Sequence, residues 1–329
     1  MGDGGQDPRL PSQALREKGR LEHDIAALFG YAGGMTRLSL GLVVGISGSV
    51  ALVARAQPAL PPPPRPVQIT HEYDFEFATI DHPGNGPWVG DSRSLVYGYG
   101  SVPYTYRMSR VEVTSAQWLQ YVNTFSVQPG NPVLAQLAQI PGMSAPNWPG
   151  VPDPSYSGPG VRFRLLSPEE GLSPVTDLSW RAAAVYVNWL CNGRSSDAAT
   201  LLAGAYDVST FGVDAHGQFT DQLTHTPGAP FWIPTEDEWL KAAHWDPDKL
   251  GPDRPGWWQY PTSSDVAPIP GLPSEGGQTS GGTGNYSIPL VSYPDVQSPW
   301  GLLDASGGAA EWTESVFVDP TSRIFDGSS

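Results

Sequence analysis

Apolar positions along this chain follow two rhythms. Residues 71–80 alternate strictly, with Tyr73, Phe75 and Phe77 on one face and Glu72, Asp74 and Glu76 on the other. That period of two predicts one half-buried strand. Asp81 to Gly86 supplies turn chemistry, and Tyr97 to Glu112 predicts further strand because Tyr104, Tyr106, Met108 and Arg110 alternate with Thr105, Arg107 and Ser109. Three stretches carry a helical period instead. Thr114 and Gln117 form a capping box ahead of Trp118, Leu119, Val122 and Phe125 on one face. A second helix starts after Ser179, buries Tyr186, Trp189 and Leu190, and stops after Cys191 at Asn192-Gly193. The third has Pro234, Thr235 as N-cap and Glu238 at the boxed position; acids in its first turn and Lys241 and His244 in its last complement the helix dipole.

Between these elements, residues 126–172 and 246–284 show no period and are rich in Pro, Gly and Ser. Loops of that length in a folded domain usually carry function or are pinned by metals. The chain has 38 Gly and 35 Pro but also 12 Trp and 13 Tyr, which predicts turns and long loops held down by aromatic packing rather than disorder. No internal repeat is visible. The residues alone therefore predict an aromatic-rich, loop-rich α+β chain.

The N-terminal part reads as processing signals. Leu38 to Val53 is apolar but diluted by Gly and Ser, follows Arg37, and ends at Ala54-Arg55-Ala56, a small-x-small cleavage pattern before Gln57. Its length is short for a membrane span, although an N-terminal anchor is the alternative. The expected organisation is a leader over 1–34 (disordered, or upstream of a true start at Met35), a signal peptide over 35–56, a Pro-rich linker over 57–70 and one domain over 71–329. Pro61 to Pro64 should form a stiff polyproline II spacer. The expected location is secreted or periplasmic, with no integral membrane segment once the signal is removed.

Charge and cysteine narrow the partners. The chain carries 18 Lys+Arg against 33 Asp+Glu; residues 1–56 hold 6 and 5 of these, so the exported part keeps 12 against 28. Such a surface repels phosphate backbones and excludes nucleic acid as an ordinary partner. It suits a protein that binds cations, or a protein or glycan outside the cytoplasm. Cys191 is the single cysteine, so neither an internal disulfide nor a thiolate metal cluster can form within these residues.

Four tracts in a fixed order then add a specific signal. They are Val111 to Trp118, Pro174 to Trp180 running into Asn188-Trp189-Leu190, Ile233 to Trp239, and Gly301 to Gly308 closing on Glu311-Trp312. Together they resemble the formylglycine-generating enzyme family, also called the sulfatase-modifying factor domain, over roughly residues 70–329. The resemblance implies an irregular, loop-rich α+β fold similar to C-type lectins, with a few short helices and small antiparallel sheets. It also implies a calcium ion held by the side chains of Asp304 and Glu311 and the carbonyls of Gly307 and Ala309. A hard cation wants several oxygen ligands, and a Gly-rich turn lets carbonyls converge on it. Gly308 and Ala310 stand where the family has Asn and Trp, which loosens the turn without removing a ligand. A second family calcium site falls on Asn285 and Tyr286, but no acid follows before Asp295.

The family's oxidase chemistry is another matter. It converts a substrate cysteine to an aldehyde with oxygen and a copper ion held by two thiolates, a soft ligand pair that selects cuprous copper. The pair follows an Arg-x-x-x-Gly-Gly-Ser stretch, to which Arg323 to Ser329 is similar with Ser328 at the second Gly, so the domain is expected to lack the family's C-terminal segment and to leave a sheet edge unpaired. Copper is not expected in this chain, and oxidase activity is doubtful. The alternative function is a non-catalytic extracellular binding module. Cys191, flanked by Leu190, reads as a small core hydrophobe. His82 and His244 read as structural, and no His pair has metal-ligand spacing, leaving only a two-His, one-carboxylate site assembled at distance. Trp257, Trp258 and Tyr260 read as an aromatic plug over the core, with a stacking platform for sugar or peptide as the alternative.

Overall fold

The strictly alternating stretch folds as a hairpin, not as one strand. In the computed structural model, which describes residues 66–281, 288–316 and 323–327, β1 (Ile69–Glu72) pairs antiparallel with β2 (Phe75–Ile80), Glu72 opposite Phe75. The turn holds Tyr73 at φ +54. Tertiary partners compensate that strain: the Tyr73 ring stacks on Phe231 at 5.8 Å and lies 4.3 Å from the Arg194 guanidinium. The Asp74 carbonyl accepts from Gln117 Nε2, and its carboxylate meets Arg194 and Gln120. A two-residue turn preserves side-chain parity, so one strand and a hairpin leave the same alternation.

β2 pairs on its other edge with β3 (Tyr106–Ser109), which closes the order β1-β2-β3 with β3 outermost. The strand predicted from Tyr97 shrinks to these four residues. Residues before it are folded into turns around Asn85, whose amide nitrogen donates to the Gly100 carbonyl at 2.7 Å and whose side-chain oxygen accepts from the Val102 N–H at 3.1 Å.

Helices follow the predicted caps. α1 (Ser115–Phe125) and α4 (Glu236–His244) each begin with a complete capping box, on Thr114/Gln117 and Thr235/Glu238. α3 (Trp180–Cys191) starts on the Ser179 side chain and ends at Asn192. Between α1 and α3 lies α2 (Pro132–Leu137), capped by Asn131, inside the stretch read as aperiodic. Six residues are too few to display a helical period. The remaining strands form two-stranded antiparallel ribbons: β4 (Val151–Pro152) with β5 (Phe163–Arg164), β6 (Trp245–Asp246) with β7 (Gly256–Trp257), and β8 (Glu311–Val316) with β9 (Arg323–Asp326). The leader, the signal stretch and most of the linker lie outside the described residues. Among the described residues no helix is long and apolar enough to cross a membrane.

Aromatic rings do most of the packing, as composition suggested. One cluster gathers Trp118, Trp180, Tyr186, Trp189, Tyr206 and Phe231 between α1 and α3. Another joins Ile80, Val102 and Tyr106 to Trp245 and Trp300, whose rings stack at 6.1 Å. Each such buried side chain contributes about 1.5–3 kcal/mol of transfer free energy. Long loops are tied in by buried polar groups. Arg181, 2% exposed, pairs with Asp221 at 2.6 Å and donates to the carbonyls of Gly212 and Pro141. Asn188 donates to the carbonyls of Leu201 and Tyr206 and accepts from the Tyr206 N–H. Lys241 donates to the His82 carbonyl at 3.0 Å, and burial lowers its pKa to about 8.

Candidate functional site: buried carboxylates beside an apolar cavity

Five acids from four separate parts of the chain meet in the interior. Glu112 lies on the short link from β3 to α1. Asp304 is brought to it because the Leu303 N–H donates to the Arg110 carbonyl at 2.7 Å. Glu311 opens β8, and the β8–β9 register sets Asp326 directly opposite it. Glu236, the first residue of α4, sets its carboxyl beside that of Asp326. The α4 N-terminus is fixed to β8 by two bonds, Glu314 N–H to the Pro234 carbonyl at 2.7 Å and Glu236 N–H to Ser315 Oγ at 3.0 Å.

Like charges directly opposite in a ladder destabilise it unless a proton or cation intervenes. The electrostatics agree. Burial, followed by the Asp304 charge, pushes the Glu112 carboxyl well above the usual range. Burial, then Glu112, does the same to Glu311. Glu236 is pushed up to about 9, chiefly by burial and then by Asp326; Asp326 and Asp304 are also raised by burial. Both carboxyl oxygens of Glu112, and one each of Glu236, Glu311 and Asp326, are buried without a hydrogen-bond partner. Such atoms cost about 1–3 kcal/mol each when left unsatisfied.

The resemblance-derived calcium residues fall at one end of this line. Asp304 has φ +56, and one of its carboxyl oxygens accepts from the Val291 N–H at 2.6 Å. Gly307 and Gly308 have consecutive left-handed φ values of +84 and +85, so the turn requires glycine. The Gly307 N–H donates to the Gly327 carbonyl at 2.7 Å, and a Cβ on Gly327 would overlap the Glu311 carboxylate. The charges of Glu112, Asp326 and Asp304 each raise the Glu311 carboxyl further. Among the described residues no three His, Cys, Asp or Glu side chains converge as a ready-made metal cage. A hard cation here would need the carbonyls of Gly307 and Ala309 beside Asp304 and Glu311; the donor set is all oxygen, and the orphaned Glu311 Oε2 suits it. Asn285 and Tyr286 lie outside the described residues.

Next to the acids runs a cavity of about 970 Å³. Its wall is largely apolar, with Phe75, Phe77, Trp118, Trp232, Trp312 and Phe325 among the rings, and it carries Glu112 and Glu311. Sequence reading named Asp304 and Glu311 but missed Glu112, Glu236 and Asp326. Only the spacing within one tract was visible from the chain, whereas these three arrive through tertiary pairing. It also missed Glu314, whose carboxylate accepts from Tyr206 Oη at 2.8 Å and sits 3.0 Å from His225 Nδ1.

The other candidates settle into structural places. Cys191 Sγ donates to the Phe231 carbonyl at 3.3 Å, and burial pushes the thiol up. His244 is held by the Trp258 carbonyl at 3.1 Å, and burial pulls it down to about 4. Trp257 packs against the second aromatic cluster, while Trp258 donates to Asp246 at 3.0 Å.

Fold and site together define a loop-rich mixed α/β domain with few helices, small antiparallel sheets and a line of buried acids. The chain belongs to the family described as the sulfatase-modifying factor enzyme 1-like domain, whose model matches residues 101–328. Among solved structures, CarF is 21% identical, with 78% of this chain and 87% of that chain covered at a TM-score of 0.41. Treponema denticola variable protein 1 is 16% identical, with 80% and 88% covered at a TM-score of 0.44. Comparison with curated proteins finds no match.

Proposed function

We propose that these residues form an exported sulfatase-modifying-factor-type domain, stabilised by calcium, that binds a ligand in its cavity and does not by itself oxidise cysteine. The observation that carries the reading is Cys191. Copper-dependent thiol oxidation needs two thiolates together, and these 329 residues offer one thiol. That thiol sits at the end of α3, hydrogen-bonded to the Phe231 carbonyl and shifted away from thiolate by burial. What the domain does present is a large, mostly apolar cavity of a size that takes ligands, with Glu112 and Glu311 in its wall.

Calcium is assigned to Asp304, Glu311 and the carbonyls of Gly307 and Ala309. The orphaned, buried oxygen of Glu311 and the paired left-handed glycines support that assignment. Export is supported by the Arg37, Leu38 to Val53 and Ala54-Arg55-Ala56 pattern, and N-terminal sequencing of secreted protein should begin at Gln57. The activity test incubates the purified protein with copper, oxygen and a cysteine-containing sulfatase-type peptide, and looks for the aldehyde by mass. No aldehyde is expected. Turnover that survives Cys191→Ser would overturn the binding reading.

A further inference from the structure

The end of α3 holds a reactive pair of residues under restraint. Asn192 caps the helix, Gly193 follows it, and both are exposed. Asn-Gly is the unit most open to attack by its own backbone, because glycine has no Cβ to keep its nitrogen away from the preceding side chain. In that reaction the Gly193 nitrogen bonds to Cγ of Asn192, the Cγ–Nδ2 bond breaks, and ammonia leaves with the proton that the glycine amide gives up. Water then opens the cyclic imide at one of its two carbonyls, leaving aspartate or isoaspartate. Nothing lies within 4 Å of where a Cβ on Gly193 would stand, so water has room to enter and ammonia to leave.

The folded turn keeps both reacting groups engaged. The Gly193 N–H donates to the Leu190 carbonyl at 3.1 Å, and the Arg194 N–H to the Trp189 carbonyl at 2.9 Å. Asn192 Nδ2 donates to the carbonyls of Asn188 and Thr200, each at 2.9 Å, and of Ala203 at 2.7 Å. Two amide hydrogens thus serve three carbonyls, and a plain helix stop would need neither of the last two. The turn is also strained: Gly193 has φ +69 and Arg194 φ +57, a left-handed conformation uncommon for arginine. Arg194 is kept there by the Asp74 carboxylate, by Gln120 Oε1 at 2.8 Å and by the Tyr73 ring at 4.3 Å. Restraint on the reactive pair therefore comes from the β1–β2 turn and from α1, not from α3 alone.

Conversion would reach beyond the turn. A carboxylate has no N–H to give, and at Asn192 it would face three carbonyl oxygens. Isoaspartate would add a methylene to the backbone as well. The Thr200 and Ala203 carbonyls lie on the segment that leads to Tyr206, whose N–H donates to Asn188 Oδ1 at 2.9 Å. Tyr206 Oη in turn donates to Glu314 and accepts from the N–H of Ile233, a residue of the cavity wall.

We propose that Asn192-Gly193 is a site of spontaneous deamidation, closed while the α3 turn is intact and opened by its fraying, and that conversion irreversibly unfastens the 198–206 segment. The proposal does not depend on the binding reading above. The chain's other Asn-Gly pair, Asn85-Gly86, serves as an internal reference. Asn85 is 7% exposed, and its amide donates to the carbonyls of Gly100 and Gly86.

The test incubates the full protein in weakly alkaline buffer, native and in urea above its unfolding transition. Peptide mapping follows both pairs, and an isoaspartate-specific methyltransferase scores the second product. In urea the two pairs should convert at similar rates, whereas native Asn192 should convert at least about tenfold more slowly than in urea. Arg194→Ala frees the turn from Asp74 and Tyr73; it should speed native conversion at Asn192 by about threefold or more and leave Asn85 unchanged. Asn192→Asp supplies the product directly, and its Thr200 and Tyr206 amides should lose about tenfold or more in hydrogen-exchange protection. If that variant does not fold, native protein aged to partial conversion gives the same comparison. Equal rates at Asn192 in native protein and in urea overturn the proposal. So does equal acceleration of Asn85 in Arg194→Ala, which would make the opening global, and so does parental exchange at Thr200 and Tyr206 in the converted protein.

Discussion

Replacing Glu236 by glutamine should stabilise this protein, and only at neutral and alkaline pH. Glu236 is 3% exposed, and burial together with Asp326 pushes its carboxyl up to about 9. A folded-state pKa above the unfolded value of 4.5 means that the folded chain keeps a proton the unfolded chain has released. The sign follows: the group's contribution is complete below about pH 4.5 and is lost progressively as pH rises toward about 9. From pH 4.5 to 7, about 2.5 units at roughly 1.36 kcal/mol each amount to about 3 kcal/mol. The residue also opens α4, where the helix dipole favours an anion by up to about 1 kcal/mol, so roughly 2 kcal/mol remains.

Glutamine cannot ionise, matches the side chain in volume, and keeps an N–H donor toward Asp326. The variant and parent should therefore have equal stability at pH 4.5, while the variant should gain about 2 kcal/mol at pH 7 and more at pH 8.5. Urea titrations at the three pH values, in chelator, measure the difference, with unchanged slopes confirming that the unfolding reaction is the same. A parent more stable than the variant at pH 8.5, or a difference that does not vary with pH, would refute the reasoning. It would mean that Glu236 is ionised in the folded chain and stabilised by a partner.

Calcium at a hundred times its dissociation constant should raise stability by about 2.7 kcal/mol if it binds only the folded chain, and Asp304→Ala should abolish the difference between melts in calcium and in chelator. Arg181→Met should cost about 3–5 kcal/mol in urea titration, because it strands the Asp221 carboxylate and the Gly212 carbonyl; adding Asp221→Asn should recover part of the loss.

What could be read from the chain was what is local. The caps of α1 and α4 are contained in four residues each, and both boxes form as the spacing predicts. The apolar faces that bury Trp118, Tyr186, Trp189 and Leu190 are likewise periodic within one helix. The turn at Tyr73 was invisible because two residues leave the alternation of residues 71–80 intact and because the left-handed Tyr73 is held by Phe231 and Arg194, far away in sequence. In the candidate site, Asp304 and Glu311 share one tract. Glu112 joins them through the Leu303–Arg110 bond, Asp326 through strand register, and Glu236 through the helix it begins. None of those three relations leaves a spacing that sequence can display.

The acids are also where the chain departs from its own rules. Elsewhere among the described residues several buried charges are answered: Arg181 by Asp221, Lys241 by the His82 carbonyl, Glu314 by Tyr206 and His225. Glu311 and Asp326 instead face each other across a ladder, and Glu112 ends in a cavity with two unpartnered oxygens. Among the described residues buried unpartnered atoms also occur elsewhere, such as Trp118 Nε1 and Tyr186 Oη, but the carboxyl oxygens among them all belong to this cluster, and violations of this kind concentrate at functional positions. The proposed calcium belongs at the Asp304 end, where carbonyls of the Gly307 turn can assist, whereas Glu112 has only carboxylate and apolar wall around it. The charge of Glu112 acts on Glu311, so a cation on Glu311 would lower the cost of ionising Glu112. Glu311→Gln should therefore shrink the difference between melts in calcium and in chelator, and an undiminished difference would remove Glu311 from the proposed ligand set.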